Sequence, residues 1–312
     1  MNATHPTTFH VPILLHETVD LLLTNPSGIY IDGTIGGGGH SSEILRNLHK
    51  TGRLIGIDRD NDAVSYCRKR FSTYSDQLQV IQGEIGEIDS ILNELNILNV
   101  DGYLLDLGIS SFQIDTAERG FSYLADGPLD MRMDTSLSVN ALDIINEYSE
   151  RKLADLFYNY GEERNSRRIA RKIVEARGKK AIETTSALAG IIRKTTSYRF
   201  QLKTLARIWQ AIRIEVNNEL DQLKESLEKI VTFLKPGSRI VVLSYESLSD
   251  RMVKRFFRGE DIDYHRSESF HASRDSDFEV LTRKVIRPTE DEISRNPRAK
   301  SARLRAAAFI KN

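Results

Sequence analysis

GIYIDGTIGGGGH (28–40) joins an apolar, β-branched run to four consecutive glycines and then to a helical pattern. Glycines at Gly36 to Gly39, after a strand and before a helix, permit tight turns and close approach of a ligand. The amides at the helix N-terminus point into the same space. In an open α/β sheet this is where ligands bind. The dinucleotide fingerprint needs a glycine where Ser42 stands, and no Gly-Lys-Ser/Thr follows, so neither a nicotinamide-dinucleotide loop nor a P-loop is read here. Asp58 closes the next strand and is placed for ribose hydroxyls, or for capping the following helix. Asp106 ends the fourth strand beside the same crevice, as a ligand-side acid or a turn cap.

Outward from this loop the pattern repeats. GRLIGID (52–58), LQVIQGE (78–84) and DGYLLDLG (101–108) are continuous apolar runs, as expected of strands buried on both faces. The helical segments HSSEILRNLHK, NDAVSYCRKRF and EIDSILNELNIL fall between them, which predicts βαβ units and a parallel sheet. From 116 to 213 no buried strand is read, only helical patterns. A helix over NNELDQLKESLEKIVTFL (217–234) is expected to stop at Lys235-Pro236-Gly237. SRIVVLSY (238–245) is another buried strand, and FEVLTRKVI (278–286) one arm of a closing hairpin. The expected fold is α/β: a doubly wound, mostly parallel sheet from 1–115 and 214–312, with an all-helical insertion over 116–213.

The chain has 312 residues, 40% of them hydrophobic and 28% charged, enough for a full core in an ordinary soluble protein. No stretch approaches the roughly 20 apolar residues that span a bilayer. The start shows no signal-peptide pattern. Cys67, the single cysteine, excludes an internal disulfide and fits a cytoplasmic location. The 44 basic and 44 acidic residues cancel, but unevenly. Arg151 to Arg213 holds 16 Lys/Arg against 5 Asp/Glu, a local +11. That predicts a basic surface on one lobe.

IDGTIGGGGH, IDRD, LLDLGISS, ERGFSYLADGPLDMRMD, NYGEERNSRRIARKIV, QAIRIEVNNEL and NPRAKSARLR occur in one order, from about His10 to Arg305. Together they closely resemble the ribosomal RNA small subunit methyltransferase H family, the MraW proteins. The resemblance implies a Rossmann-like class I methyltransferase sheet and S-adenosylmethionine as methyl donor. It implies N4-methylation of a cytidine in the decoding region of 16S rRNA, within the small ribosomal subunit. The family's cofactor contacts fall on Gly38, Gly39, His40, Asp58, Ile85, Asp106 and Gln113, and the insertion resembles a substrate-recognition domain. Departures are Glu246 in place of a usual His, which puts a proton-relay role there in question, Ile85 for a common Phe, and Ile208-Trp209 for Thr-Phe.

Methyl transfer from a sulfonium is an in-line displacement in which positioning supplies much of the rate. The exocyclic amine of cytosine is a poor nucleophile, and an acceptor such as Asp106 would draw its lone pair out of conjugation. The target base must leave its stack. Phe112, Phe121, Tyr123, Tyr158, Tyr160 and Trp209 are candidates for stacking or core. Arg164, Arg167, Arg168, Arg171 and Lys172 recur along one helix and would bind phosphate. Arg295, Arg298, Lys300, Arg303 and Arg305 are expected to form a second grip. Asp126, Asp130 and Asp134 are close in sequence, yet the chemistry needs no metal and none is expected. Two competing functions are a non-catalytic, RNA-binding ribosome-assembly factor that keeps the cofactor fold, and a nucleotide-dependent oxidoreductase. No membrane partner is expected, and a homodimer is left open.

Overall fold

The computed structural model describes residues 12–263 and 276–311. Strands β1 (Ile29–Asp32), β2 (Arg53–Asp58), β3 (Leu78–Gln82), β4 (Val100–Asp106), β5 (Leu234–Ser244), β6 (Phe278–Val280) and β7 (Arg303–Phe309) form one sheet, ordered β3-β2-β1-β4-β5-β7-β6. β1 to β5 are parallel to one another, and β7 runs antiparallel to both β5 and β6. The helices are α1 (Leu15–Leu22), α2 (Gly39–Asn47), α3 (Asn61–Arg70), α4 (Ile88–Glu94), α5 (Ser111–Asp115), α6 (Ala141–Glu147), α7 (Glu150–Asn159), α8 (Ser166–Arg177), α9 (Thr185–Thr195), α10 (Gln201–Asn217), α11 (Glu219–Ile230), α12 (Ser247–Phe256) and α13 (Glu290–Arg295). This is the Rossmann-like, mostly parallel sheet expected from the sequence, with one antiparallel strand, β7, inserted between β5 and β6. No helix among the described residues is long and apolar enough to cross a membrane.

Two compact units are present. The first comprises residues 1–108 and 220–312, the second 109–219. In the first, Leu54, Ile55 and Ile57 of β2 and Tyr103, Leu104 and Leu105 of β4 are buried at successive positions, the consequence of helices covering both faces. The chain runs outward from β1 to β3, then returns to β4 on β1's other side. The carboxyl ends of β1 and β4 therefore flank the point where strand order reverses, the ligand crevice of such sheets. Asp32 and Asp106 are the last residues of those two strands.

The second unit is helical. Leu153, Phe157, Ile169, Ile173, Leu188, Ile192, Leu205 and Ile212 are fully buried in a single core, against which Ile109 also packs. Val216 belongs to that core too, so the unit reaches further along the chain at both ends than the helical pattern over 116–213. Asn218 adopts a left-handed conformation (φ 48) and closes α10, as a residue just past a helix end commonly does. Asn217, just before it, is buried and latches the DMRMD loop. Its Oδ1 accepts from Met133 N at 2.7 Å, while its Nδ2 donates to Met131 O at 2.8 Å.

Three expectations are corrected. The helix over 217–234 is broken at Asn218, and α11 stops at Ile230. Lys235-Pro236-Gly237 lies inside β5, where the register against β4 shifts between Val100 and Gly102. Ser238 Oγ bridges this irregularity, donating to Val100 O at 2.7 Å and accepting from Lys235 N at 3.0 Å. In the C-terminal basic segment, Arg305 is not free for a grip. Arg303 and Arg305 belong to β7, and Arg305 makes a two-pronged ion pair with Asp250 at 2.7 and 3.2 Å.

Candidate cofactor site at the strand ends

The glycine loop is built by backbone hydrogen bonds. Gly33 N donates to Leu104 O at 2.9 Å, Ile35 N to Ile57 O at 2.9 Å and Gly38 N to Ile35 O at 2.7 Å. Gly36 (φ 49) and Gly38 (φ 72) need left-handed backbone, which side chains disfavour. A Cβ on Gly38 would also collide with the Phe71 ring. Gly38 is the N-cap of α2, and among the described residues no side chain caps that helix. Its first amides are therefore left for a ligand or solvent.

Three carboxylates stand at the ends of adjacent strands: Asp58 on β2, Asp32 on β1 and Asp106 on β4. Asp58 Oδ2 accepts from Gly36 N at 2.8 Å and Oδ1 from Asp60 N at 2.9 Å. Each oxygen keeps a further lone pair for a hydroxyl. Burial pushes the Asp58 carboxyl up to about 6, against the pull of those two amides. Asp32 is buried, takes Ser41 Oγ at 2.6 Å, and is raised by burial. Cys67 lies below the loop, and its thiol is pushed up to about 12 by burial and by Asp32 and Asp58, so it is a packed thiol rather than a nucleophile.

His40 is buried and joins two sides of the crevice. Its Nε2 lies 3.1 Å from Ile13 O and its Nδ1 3.5 Å from Asp106 Oδ2. Burial lowers its pKa, favouring the neutral ring. Both neighbours are acceptors, Ile13 O being the nearer, so the ring proton has a partner on either nitrogen. Asp106 is held from two further directions. Its N–H donates to Thr34 Oγ1 at 2.6 Å, and Tyr245 donates its hydroxyl to Oδ1 at 2.9 Å. Burial, followed by the Asp106 charge, raises the Tyr245 pKa, which keeps that hydroxyl protonated.

Of the residues picked from the sequence, Gly38, Gly39, His40, Asp58 and Asp106 share the strand-end region of the first unit. Ile85 is half-buried in a turn soon after β3. Gln113 belongs to the second unit, where it is buried and closes a capping box with Ser110 at the start of α5. Asp32, Thr34, Ser41 and Tyr245 were not picked out. Asp32 carried a signal, an acid at a strand end just before the glycine loop, whereas nothing local marks Tyr245. Glu246 has a structural task as the N-cap of α12, accepting from Leu248 N at 2.5 Å and Ser249 N at 2.6 Å.

In the second unit, Arg167, Arg168, Arg171 and Lys172 lie on α8, and Arg164 in the turn before it. Arg171 lies 3.6 Å from Glu150 and Lys172 2.5 Å from Glu175. Phe121 and Trp209 are core, with Trp209 edge-on to Tyr123 at 5.7 Å, whereas Tyr158 is exposed. Asp126 accepts from Ser186 Oγ at 2.6 Å, Asp130 grips Arg132 with both oxygens at 2.8 Å, and Asp134 accepts from Ser136 N at 2.8 Å. Among the described residues no His, Cys, Asp and Glu group could hold a metal ion.

Residues 7–310 match the MraW methylase family. A ribosomal RNA small subunit methyltransferase H from Bacteroides fragilis is 44% identical over 301 residues, covering 96% of this chain and 97% of that protein. One of the same name from Chlorobaculum parvum is 46% identical over 309 residues, covering 95% and 97%. Among solved structures, Aeropyrum pernix fibrillarin with bound S-adenosylmethionine aligns at 9% identity with a TM-score of 0.35, over 94% of this chain and 74% of that one.

Proposed function

The chain belongs to the MraW methylase family, and from that premise we propose that it methylates small-subunit ribosomal RNA, at the N4 amine of a cytidine in the decoding region of 16S rRNA. S-adenosylmethionine is the cofactor of this fold and family and supplies an electrophilic methyl group on a sulfonium. The observation that carries the reading is the set of groups around the α2 N-terminus. Uncapped amides suit a carboxylate, and Asp58 offers free lone pairs to ribose hydroxyls. Ile85 gives an apolar edge suited to an adenine, and the strand-end carboxylates suit a cation.

Asp106 is the group assigned to the amine. Tyr245 and Thr34 fix its position, so its orientation is set before substrate arrives. Hydrogen bonding from the amine to this carboxylate would localise the nitrogen lone pair. The second unit, with its excess of basic residues, is assigned to substrate recognition, and the setting is the bacterial cytoplasm.

The test is transfer from labelled S-adenosylmethionine to small subunits lacking the modification, followed by mass spectrometry of the nucleosides. N4-methylated cytidine is expected. Absence of transfer, despite tight cofactor binding and intact subunits, would overturn the assignment. Asp106→Asn is expected to cut turnover. Full turnover with unchanged cofactor affinity would remove Asp106 from the mechanism.

A further inference from the structure

The turn that joins α9 to α10 is chemically unlike the rest of the second unit. From residue 184 to 214 the sequence contains no Asp or Glu but six Lys/Arg. Two of the six, Arg207 and Arg213, are spoken for by Glu163 and Glu219. The other four, Arg193, Lys194, Arg199 and Lys203, are exposed, and none is paired with a carboxylate among the described residues. Interleaved with them are three large apolar side chains left in solvent: Tyr198 at 91% exposure, Phe200 at 52% and Leu202 at 65%. Arg199 stacks its guanidinium 5.5 Å from the Phe200 ring centre.

The turn is ordered by its own hydrogen bonds. Thr196 N donates to Ile192 O at 3.0 Å and Phe200 N to Ser197 O at 2.9 Å. Gln201 Nε2 reaches back to Arg193 O at 2.9 Å. Exposed apolar clusters on ordered backbone mark interaction surfaces. The charge selects the partner. In a two-fold contact with a second copy, this surface would meet itself, setting uncompensated cations against cations. A polyanion with accessible π-faces satisfies both features. Unpaired nucleotides offer their bases for stacking on aromatic side chains and their phosphates to cations, whereas a duplex hides its base faces.

We propose that Arg193–Lys203 is a single-stranded RNA contact: Tyr198 and Phe200 stack on unpaired bases while Arg193, Lys194, Arg199 and Lys203 hold the flanking phosphates. This rests on the rRNA reading above and adds a site outside α8, where two of the five cations picked from the sequence already have carboxylate neighbours.

The test uses the full chain and a labelled oligouridylate, with anisotropy read across a salt series. Replacing the four cations by Gln is expected to flatten the salt slope by about 0.7 per cation removed. Tyr198→Ala is expected to weaken binding by about fivefold or more, because one stacked base is lost, while Tyr198→Phe retains wild-type affinity. Both weakened variants should raise KM for small subunits and leave S-adenosylmethionine affinity unchanged, since the substituted residues are exposed and belong to the second unit. Unchanged RNA affinity and salt slope in every variant would overturn the proposal. So would a shift from dimer to monomer in light scattering without loss of RNA binding, which would give this surface to a second copy. If the wild-type chain transfers no methyl group to small subunits, the rRNA reading fails, and the oligouridylate result still decides the RNA contact on its own.

Discussion

Asp58 makes the assigned cofactor site sensitive to acid in a way that can be worked out in advance. Its carboxyl is pushed up to about 6 by burial, so the unliganded protein still holds a proton there at mildly acidic pH. Ribose hydroxyls donate best to the ionised form, and affinity should follow the ionised fraction. With a pKa of about 6 that fraction is about one tenth at pH 5 and about nine tenths at pH 7, a change of about tenfold or about 1.4 kcal/mol. S-adenosylmethionine affinity measured by calorimetry should rise about tenfold over that window and level off above it. Stability of the unliganded protein should move the opposite way. The folded state binds a proton that the unfolded chain has released, so stability falls as pH rises from about 4 to about 6 and then levels off. Asp58→Asn should bind more weakly and flatten both profiles. It also sets an amide donor against one of the two N–H groups now satisfied, so its melting temperature should drop. A pH-independent wild-type affinity, or an Asn variant that keeps the full pH slope, would refute the assignment of Asp58 as the titrating ribose acceptor.

Glu246→Ala removes two accepted amides from the start of α12 and should cost about 0.5–2 kcal/mol, lowering Tm while leaving turnover below that temperature intact. Lost turnover at unchanged Tm would restore a proton-handling role to this position. Gly38→Ala forces a side chain into the Phe71 ring from a left-handed backbone and should abolish cofactor binding in calorimetry. Wild-type affinity would show that the loop has another solution. Asn217→Asp replaces the Nδ2 donor to Met131 O and Arg213 O by an acceptor, a cost of about 1–3 kcal/mol or more, and should lower Tm. An unchanged melting curve would mean that the latch is dispensable.

The strands that carry the site were readable because each is a run of Ile, Leu, Val and Tyr buried on both faces, and because the glycine loop sits where such sheets bind ligands. Strand β7 was not. Its centre is Ala306-Ala307-Ala308, and alanine has little preference for strands. It is held by packing between β5 and β6, which no local pattern announces. Pro236 and Gly237 read as a helix stop because they usually are one, and only pairing with β4 turns them into a strand irregularity. Asp58 and Asp106 were legible as strand-end acids. The hold on Asp106 was not, because Tyr245 lies 139 residues away in sequence and its tie to that carboxylate is purely tertiary. The exposed ring of Tyr198 was equally silent, since sequence does not tell a solvated aromatic from a core one.

The sheet is assembled from two chain segments, with the helical unit as one unbroken stretch between them. During synthesis this imposes an order. β4 is complete at Asp106, but its parallel partner β5 begins only at Leu234. At roughly 5–20 residues per second the half-built sheet waits on the order of ten seconds with β4 as an open edge. The contiguous helical unit, rich in local contacts, emerges and can fold during that interval. β7 follows only from Arg303 onward and lies between β5 and β6. A nascent chain that stalls before residue 303 would therefore carry a finished insertion and an unfinished sheet, exposing apolar strand edges to chaperones and proteases.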